Sequence, residues 1–108
     1  MMYWIEVVVC SPRNDKAKRL HRLLEYRTSR KKDCEGCVNA WVGTAVDESG
    51  VILACAIFED EAAWGRISEG VNTACDKRDG GLEPILTGPP IVGVFQIPRS
   101  AVTSNDVG

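Results

Sequence analysis

The sequence has little of what usually identifies an enzyme. Its 108 residues include one histidine, only 6% are aromatic, and no glycine-rich string of the Rossmann or P-loop type occurs. It has no internal repeat at solenoid periods and no low-complexity tract. The longest run with few charges, residues 51–58, is far too short to span a bilayer. We therefore expect neither a membrane protein nor a repeat protein, and no motif names a reaction.

The composition is that of one ordinary globular domain. Apolar residues make up 44% of the chain and charged residues 26%, which is close to average usage. The five cysteines are an odd number and the N-terminus has no basic signal-peptide region, so we expect reduced thiols and a cytoplasmic location. The domain is expected over residues 1–98, with a flexible tail over residues 99–108.

Positive charge is concentrated in one segment. Nine of the 13 basic residues lie between Arg13 and Lys32 with two acidic ones, so this segment carries +7 and the rest of the chain −9. Such a segment can bind anions, but a solvated helix face that meets acidic neighbours is the commoner case. The third strand lacks the stacking aromatic and basic residues of the RNA-recognition fold, so nucleic-acid binding is not expected.

Hydrophobic periodicity predicts six elements in the order β-α-β-β-α-β. The strands are expected over Tyr3–Cys10, Cys37–Val46, Val51–Phe58 and Ile91–Ile97. The first helix is expected to follow a cap at Asn14 or Asp15 and to fray near residues 30–32, and the second to open at Glu59 or Asp60. This order is the split βαβ, ferredoxin-like arrangement, an α+β fold with both helices on one face of a four-stranded antiparallel sheet.

The strands also predict a second covered face. The third strand is apolar on both faces, which is unusual where one face of an antiparallel sheet is wet. Successive side chains of a strand point to opposite faces of the sheet, so each strand has two sets of alternate positions. We expect the set that is purely apolar to face the helices and the set that mixes polar and apolar residues to lie on the helix-free face. The mixed sets contain Trp4, Glu6, Asn39, Trp41 and Gln96. Polar groups among apolar ones are typical of a ligand pocket and equally of a protein interface, and both interpretations predict that a second copy of the chain covers this face.

Three short motifs resemble one family. They are Glu35–Cys37 (EGC), Phe58–Trp64 (FEDEAAW) and Leu82–Pro90 (LEPILTGPP). All three resemble the antibiotic biosynthesis monooxygenase-like domain, one of the dimeric α+β barrel proteins. The first motif is similar to the start of that domain's second strand, the second to its strand–helix junction, and the third to the segment before its last strand. The likeness covers roughly residues 3–97. It implies a homodimer whose sheets face each other as a barrel, with ligands on the helix-free or inter-sheet side.

The resemblance also implies candidate activities. Some members oxidise aromatic polyketides with oxygen and without metal or flavin, and others bind or degrade haem. Ile67 stands where relatives often place a histidine, so this chain lacks the histidine that would be the axial ligand of a bound haem. The expectation is a cofactor-independent monooxygenase acting on a small aromatic or lipophilic molecule, and the alternative is a non-catalytic ligand-binding or interaction protein. Glu6 is then the candidate catalytic carboxylate, and the candidate ligand-binding residues are Trp4, Asn39, Trp41, Phe58 and Gln96.

Cys34 and Cys37 have the spacing of a zinc knuckle or a redox pair. A zinc site needs two further ligands, and Cys10 and Cys75 are expected at the opposite edge of the sheet. A thioredoxin-like pair opens a helix, whereas this one precedes a strand. We therefore expect no metal and no cofactor. His21 lies in the basic first helix and is expected at the surface.

Overall fold

A four-stranded antiparallel sheet carries two long helices on one face in the computed structural model, which describes residues 1–103. The elements are β1 (Met2–Cys10), α1 (Ala17–Lys32), β2 (Cys37–Thr44), β3 (Ile52–Phe58), α2 (Glu61–Asp79), β4 (Ile91–Pro98) and α3 (Ser100–Thr103), with a 3-10 turn over Glu83–Ile85 before β4. The strand order is β2-β3-β1-β4. The predicted ferredoxin-like fold is confirmed. Among these residues no helix has both the length and the apolar character that a membrane crossing requires.

The two long helices begin in different ways. As predicted, Asp60 caps α2, and its side chain accepts a hydrogen bond of 2.8 Å from the Ala63 N–H. The cap predicted for α1 at Asn14 or Asp15 is wrong, because the residue at the N-cap position is Lys16 and it makes no side-chain cap. Asp15 has a left-handed φ of 69° and turns the chain just before the helix, a conformation that aspartate tolerates better than most residues.

The β2–β3 hairpin has a longer connection than the sequence predicts. β2 ends at Thr44 instead of Val46, and the Ala45 N–H donates to the Val51 carbonyl at 2.9 Å. Within the turn, Ser49 donates hydrogen bonds to the Asp47 carboxylate, which lowers the pKa of Asp47. The polar turn therefore takes in the last two residues that the sequence assigned to the strand.

The segment after β4 is folded back onto the sheet. The Arg99 guanidinium donates to the Glu59 carbonyl at 3.1 Å and lies 4.5 Å from the centre of the Tyr3 ring. A flexible tail over residues 99–108 stays a prediction. Ser100–Thr103 are helical, and residues 104–108 lie outside the described part of the chain.

The helices pack on the sheet through two apolar clusters. The first contains Ala40, Ala56, Phe58, Ala63, Ile67, Val71 and Cys75, and the second contains Cys10, Leu20, Leu24, Ile52, Ile85 and Leu86. On β1, Trp4 packs against the first cluster and Val8 against the second. Glu6 lies between these two side chains on the same face of the strand, so a carboxylate sits between the two halves of the core.

The faces predicted for β1 and β4 are therefore wrong. Trp4 and Glu6 point toward the helices, and Ile5, Val7 and Val9 point away from them. Gln96 pairs with Trp4 across the β1–β4 ladder, so it shares the helix side of the sheet. The prediction failed because it assigned the alternate positions of β1 that include a charged residue to the helix-free face. In the structure the charged residue, Glu6, pairs with a buried cation on α1.

Candidate functional site

The Glu6 carboxylate is buried and accepts three hydrogen bonds from helix side chains. Its Oε1 accepts from the Lys31 Nζ at 3.0 Å and from the Ser68 Oγ at 3.1 Å. Its Oε2 accepts from the Trp64 Nε1 at 3.2 Å. Since every partner is a donor and one is a cation, the arrangement is that of an ionised carboxylate in an ion pair.

The cation of this pair comes from the last turn of α1. Lys31 was expected to lie where the helix frays, but its side chain is only 11% exposed and the helix continues to Lys32. A buried lysine is tolerated when its ammonium is paired and hydrogen-bonded. Glu6 thus anchors the end of α1, and Lys31 brings a positive charge into the layer between helices and sheet.

Arg27 lies one turn before Lys31 and makes a second link between the helices. Its Nη2 donates to the Asp76 Oδ1 at 2.8 Å and to the Asp79 Oδ1 at 3.0 Å, both near the end of α2. The Arg27 side chain is 7% exposed, and the Asp79 side chain 9%. The Nε N–H of Arg27 is buried without a partner within residues 1–103, so the Arg27 side chain contacts α2 through its Nη2 hydrogen bonds.

Two tryptophans stack beside Glu6. The rings of Trp4 and Trp64 have centroids 5.5 Å apart and planes inclined by 26°, a favourable offset geometry for aromatic pairs. Trp64 also donates to Glu6 through its indole N–H. The stack fixes the first turn of α2 against β1 and closes one side of the Glu6–Lys31 pair.

A cavity of about 550 Å³ opens on the other side of this pair. Its polar lining comes from β1, α1 and α2 and includes Glu6, Arg27, Thr28, Lys31, Asn72 and Asp76. Its apolar lining includes Val8, Leu24, Ala54, Leu82, Leu86 and Val92, together with prolines that precede β4. The volume is that of ordinary small-molecule sites, and so is the mixture of apolar walls with a few polar groups. The arrangement suits a flat or apolar molecule with an oxygen that meets the Lys31 ammonium.

The structure divides the predicted site residues between two faces. It brings Trp4 and Glu6 together on the helix side, with Gln96 beside Trp4 in the ladder. Asn39 and Trp41 pair with Ile57 and Cys55 on the helix-free face. Asn39 is engaged there by its own backbone, since its Oδ1 accepts from the Ala40 N–H at 2.8 Å.

Phe58 is fully buried in the first apolar cluster, so its part in the site is to support the tryptophan stack from below. It does not line the cavity. The sequence reasoning also missed Lys31, Trp64, Ser68 and Asn72. In the sequence, Trp64 stands out only as the last residue of the FEDEAAW motif. The others have no sequence signal, because a lysine at a helix end and a serine inside a helix are usually solvent-exposed.

The Cys34–Cys37 pair closes a β-turn. The Cys37 N–H donates to the Cys34 carbonyl at 3.1 Å, and Gly36 has a φ of 106° with only 3.0 Å between its would-be Cβ and the Ala63 Cβ. Burial raises the pKa of the Cys37 thiol, which disfavours the reactive thiolate. Burial likewise raises the pKa of Cys10 and Cys55. Within the described residues no cluster of three or more histidine, cysteine or acidic side chains is placed to hold a metal ion.

His21 lies on the outer side of α1, with its Nε2 3.7 Å from the Glu25 carboxylate one turn later. Both side chains are well exposed. The histidine is therefore a surface residue, and it lines none of the cavities described here.

Comparison with solved structures places the fold in a known group. Rv0793 from Mycobacterium tuberculosis superposes with a TM-score of 0.73 at 18% identity, over 86% of this chain and 92% of that one. A candidate antibiotic biosynthesis monooxygenase from Nitrosomonas europaea gives 0.75 at 8% identity, over 86% and 88%. A variant of SnoaB, a cofactor-independent oxygenase from Streptomyces nogalater, gives 0.73 at 14% identity, over 94% and 98%.

The chain therefore has the α+β fold of antibiotic biosynthesis monooxygenase-like domains. No family model and no curated protein sequence matches it. At these identities the likeness concerns the fold, and the chemistry depends on the residues of the site itself.

Proposed function

We propose that this chain is a cofactor-independent monooxygenase that acts on a small aromatic or lipophilic molecule in the cavity beside Glu6 and Lys31. The observation that carries the proposal is a buried ion pair, 3.0 Å long, at the wall of a cavity of about 550 Å³ that has both apolar and polar walls. A few polar groups that converge on a concave site with apolar walls are typical of small-molecule sites. The shared fold with SnoaB, an oxygenase of this kind, supports the reaction class.

In the proposed reaction the substrate itself reduces oxygen. An anthrone-type CH₂ group loses a proton, the resulting anion transfers electrons to O₂, and the ring carbon ends as C=O while one oxygen atom leaves as water. The first proton goes to solvent, and the water forms from the remaining C–H hydrogen and one proton taken back from solvent. Lys31 favours the anion because an opposite charge within about 4–6 Å stabilises the ionised form of an acidic group.

Glu6 takes a positioning role in this proposal, in place of the general-base role expected from the sequence. Both of its oxygens already accept hydrogen bonds, two at Oε1 and one at Oε2. A carboxylate held in this way fixes the ammonium and the tryptophan N–H, and preorganised charge of this kind is a large part of catalysis in dry sites.

Oxygen uptake with a panel of anthrones and quinols tests the proposal. We expect protein-dependent uptake, and a loss of about 100-fold or more in Lys31→Met, since removing one preorganised charge costs that much in comparable sites. The control is Lys18→Met, an exposed residue of the same helix. Absence of uptake with every panel member, or equal uptake by Lys31→Met and the wild type, would overturn the monooxygenase proposal.

A second candidate function is binding without chemistry. It is favoured by the full occupation of the Glu6 carboxylate, which leaves the cavity without an evident proton acceptor. Here a panel member quenches the fluorescence of the Trp4–Trp64 pair while oxygen uptake stays at the background rate. Saturable quenching without uptake would select this function over the first.

We further propose that the helix-free sheet face is covered by a second copy of the chain. Large apolar side chains are exposed there, with Trp41 39%, Phe95 57% and Ile91 72% exposed. Exposed apolar patches of this kind mark interaction surfaces. The family resemblance implies the same sheet-to-sheet pairing, so the occupant is a twin sheet rather than a different protein.

Light scattering tests the dimer directly. The wild type is expected at twice the chain mass, and Phe95→Glu at the mass of one chain, because a buried, unpaired carboxylate disfavours an apolar interface. Val46→Glu, in the fully exposed β2–β3 turn, is the matched control and should remain dimeric. A monomeric wild type, or a dimeric Phe95→Glu, would contradict the pairing through this face.

The proposed location is the cytoplasm. All five cysteines have free thiols, and disulfides are rare in reducing compartments. The free thiols support that location.

A further inference from the structure

A second groove lies between α1 and α2, apart from the candidate site. Its volume is about 710 Å³, and none of its lining residues belongs to the sheet or to the cavity beside Glu6. Ile67, Val71 and Cys75 are buried and form an apolar floor. The exposed rim carries three arginines and one carboxylate: Arg30, Arg66, Arg78 and Glu35.

The charges of the three arginines are not neutralised by carboxylates. Within residues 1–103 none of them takes part in a salt bridge. Arg66 donates to the Glu35 carbonyl at 2.9 Å, and the Arg78 guanidinium lies 3.9 Å from the centre of the Tyr26 ring. A carbonyl and an aromatic ring hold a guanidinium in place without cancelling its charge. Two arginines are therefore positioned, and the groove carries a net positive charge.

The spacing along α2 keeps the groove open. Arg66, Gly70, Ala74 and Arg78 follow one another at intervals of four residues, so they lie in one row on the helix. Two small residues thus separate two arginines. A Cβ on Gly70 would meet no atom within 4 Å, so packing does not require this glycine. Glycine is costly inside a helix, but it lets a ligand approach the backbone closely.

From this groove we propose a binding site for a small organic phosphate with an apolar or aromatic body. The body lies on the floor of Ile67 and Val71 along Gly70, and the phosphate meets Arg66 and Arg30 at the rim. Guanidinium groups match phosphate oxygens in charge and in planar geometry. A volume near 710 Å³ fits a molecule of metabolite size. The site is independent of the proposed oxygenase activity.

The test titrates the full-length protein with 1-naphthyl phosphate and follows binding by calorimetry at low and high ionic strength. We expect saturable binding that weakens with salt. Inorganic phosphate alone and 1-naphthol alone should each bind at least tenfold more weakly, because each lacks one half of the interaction. Arg66→Ala and Arg30→Ala should each lose about tenfold, since hydrogen bonds to charged groups are worth about that factor.

Two glycines provide a matched pair that is not expected to damage the fold. Gly65 and Gly70 both lie inside α2 with open space at the Cβ position, and only Gly70 lines the groove. Gly70→Ala should weaken naphthyl phosphate about fivefold by occupying the floor, while Gly65→Ala and Arg22→Ala leave binding unchanged. Absence of binding, equal binding by Gly70→Ala and the wild type, or tighter binding of an oligoglutamate peptide than of naphthyl phosphate would each overturn the proposal.

Discussion

Glu6→Gln is expected to lower the free energy of unfolding by at least about 3 kcal/mol. Glutamine keeps the shape, but its one amide oxygen can accept from only one of Ser68 and Trp64, which donate to different carboxylate oxygens. It also cannot neutralise Lys31. The Lys31 side chain is only 11% exposed, so its ammonium stays buried without a counter-charge. Removing one partner of a buried pair costs about 3–5 kcal/mol. Urea unfolding at neutral pH measures it.

Two further variants separate the ion pair from general damage. Glu6→Gln combined with Lys31→Met should recover at least half of the loss, because the unpaired charge is then gone. Glu25→Gln removes a carboxylate that is 58% exposed and 3.7 Å from His21, and should change stability by no more than about 0.5 kcal/mol. If Glu6→Gln costs no more than Glu25→Gln, the pair does not stabilise the junction of α1 with the sheet.

Arg27→Met is the second large effect, with an expected loss of about 3 kcal/mol in unfolding free energy. Methionine fills similar space but leaves the Asp79 carboxylate, 9% exposed, without its cation. Asp76 is 56% exposed and hydrates when the arginine is removed, so it contributes little to the loss. Thermal and urea unfolding of the variant give the value.

A double-mutant cycle identifies the origin of this loss. Asp79→Asn with Arg27→Met should show a coupling energy of at least about 1 kcal/mol, as directly interacting residues do. Arg19→Met, an exposed arginine earlier in α1, should be nearly neutral. Additive effects of Arg27→Met and Asp79→Asn would mean that the contact does not couple the two helices.

The sequence was sufficient for the order of elements but not for the orientation of β1. Local patterns specify strands, turns and the Asp60 cap, since each depends on neighbours in the chain. Which face of β1 meets the helices depends on Lys31, which is 25 residues away in sequence from Glu6. The general preference for apolar sets inside a protein fails where a charge has a buried partner.

The same reasoning explains which site residues were found. Trp4 and Glu6 were predicted as site residues because they are an aromatic residue and a carboxylate in an apolar strand, and they do lie together. Asn39 and Trp41 were grouped with them because the faces predicted for β1 and β4 were both wrong. Ser68 could not be predicted as a site residue, because its role depends on a hydrogen bond of 3.1 Å to Glu6 that forms only when α2 packs on β1.

The place of β1 in the middle of the sheet has a consequence for the order of assembly. β4 pairs with β1 through Val9 with Ile91 and Met2 with Pro98, residues 82 and 96 positions apart, so this ladder closes the longest loops of the fold at the highest entropic cost. The cavity beside Glu6 takes Val92 and the prolines before β4 as one wall. A chain emerging from the ribosome therefore has no complete cavity until its last strand has docked, and a ligand of that cavity stabilises only the fully folded protein.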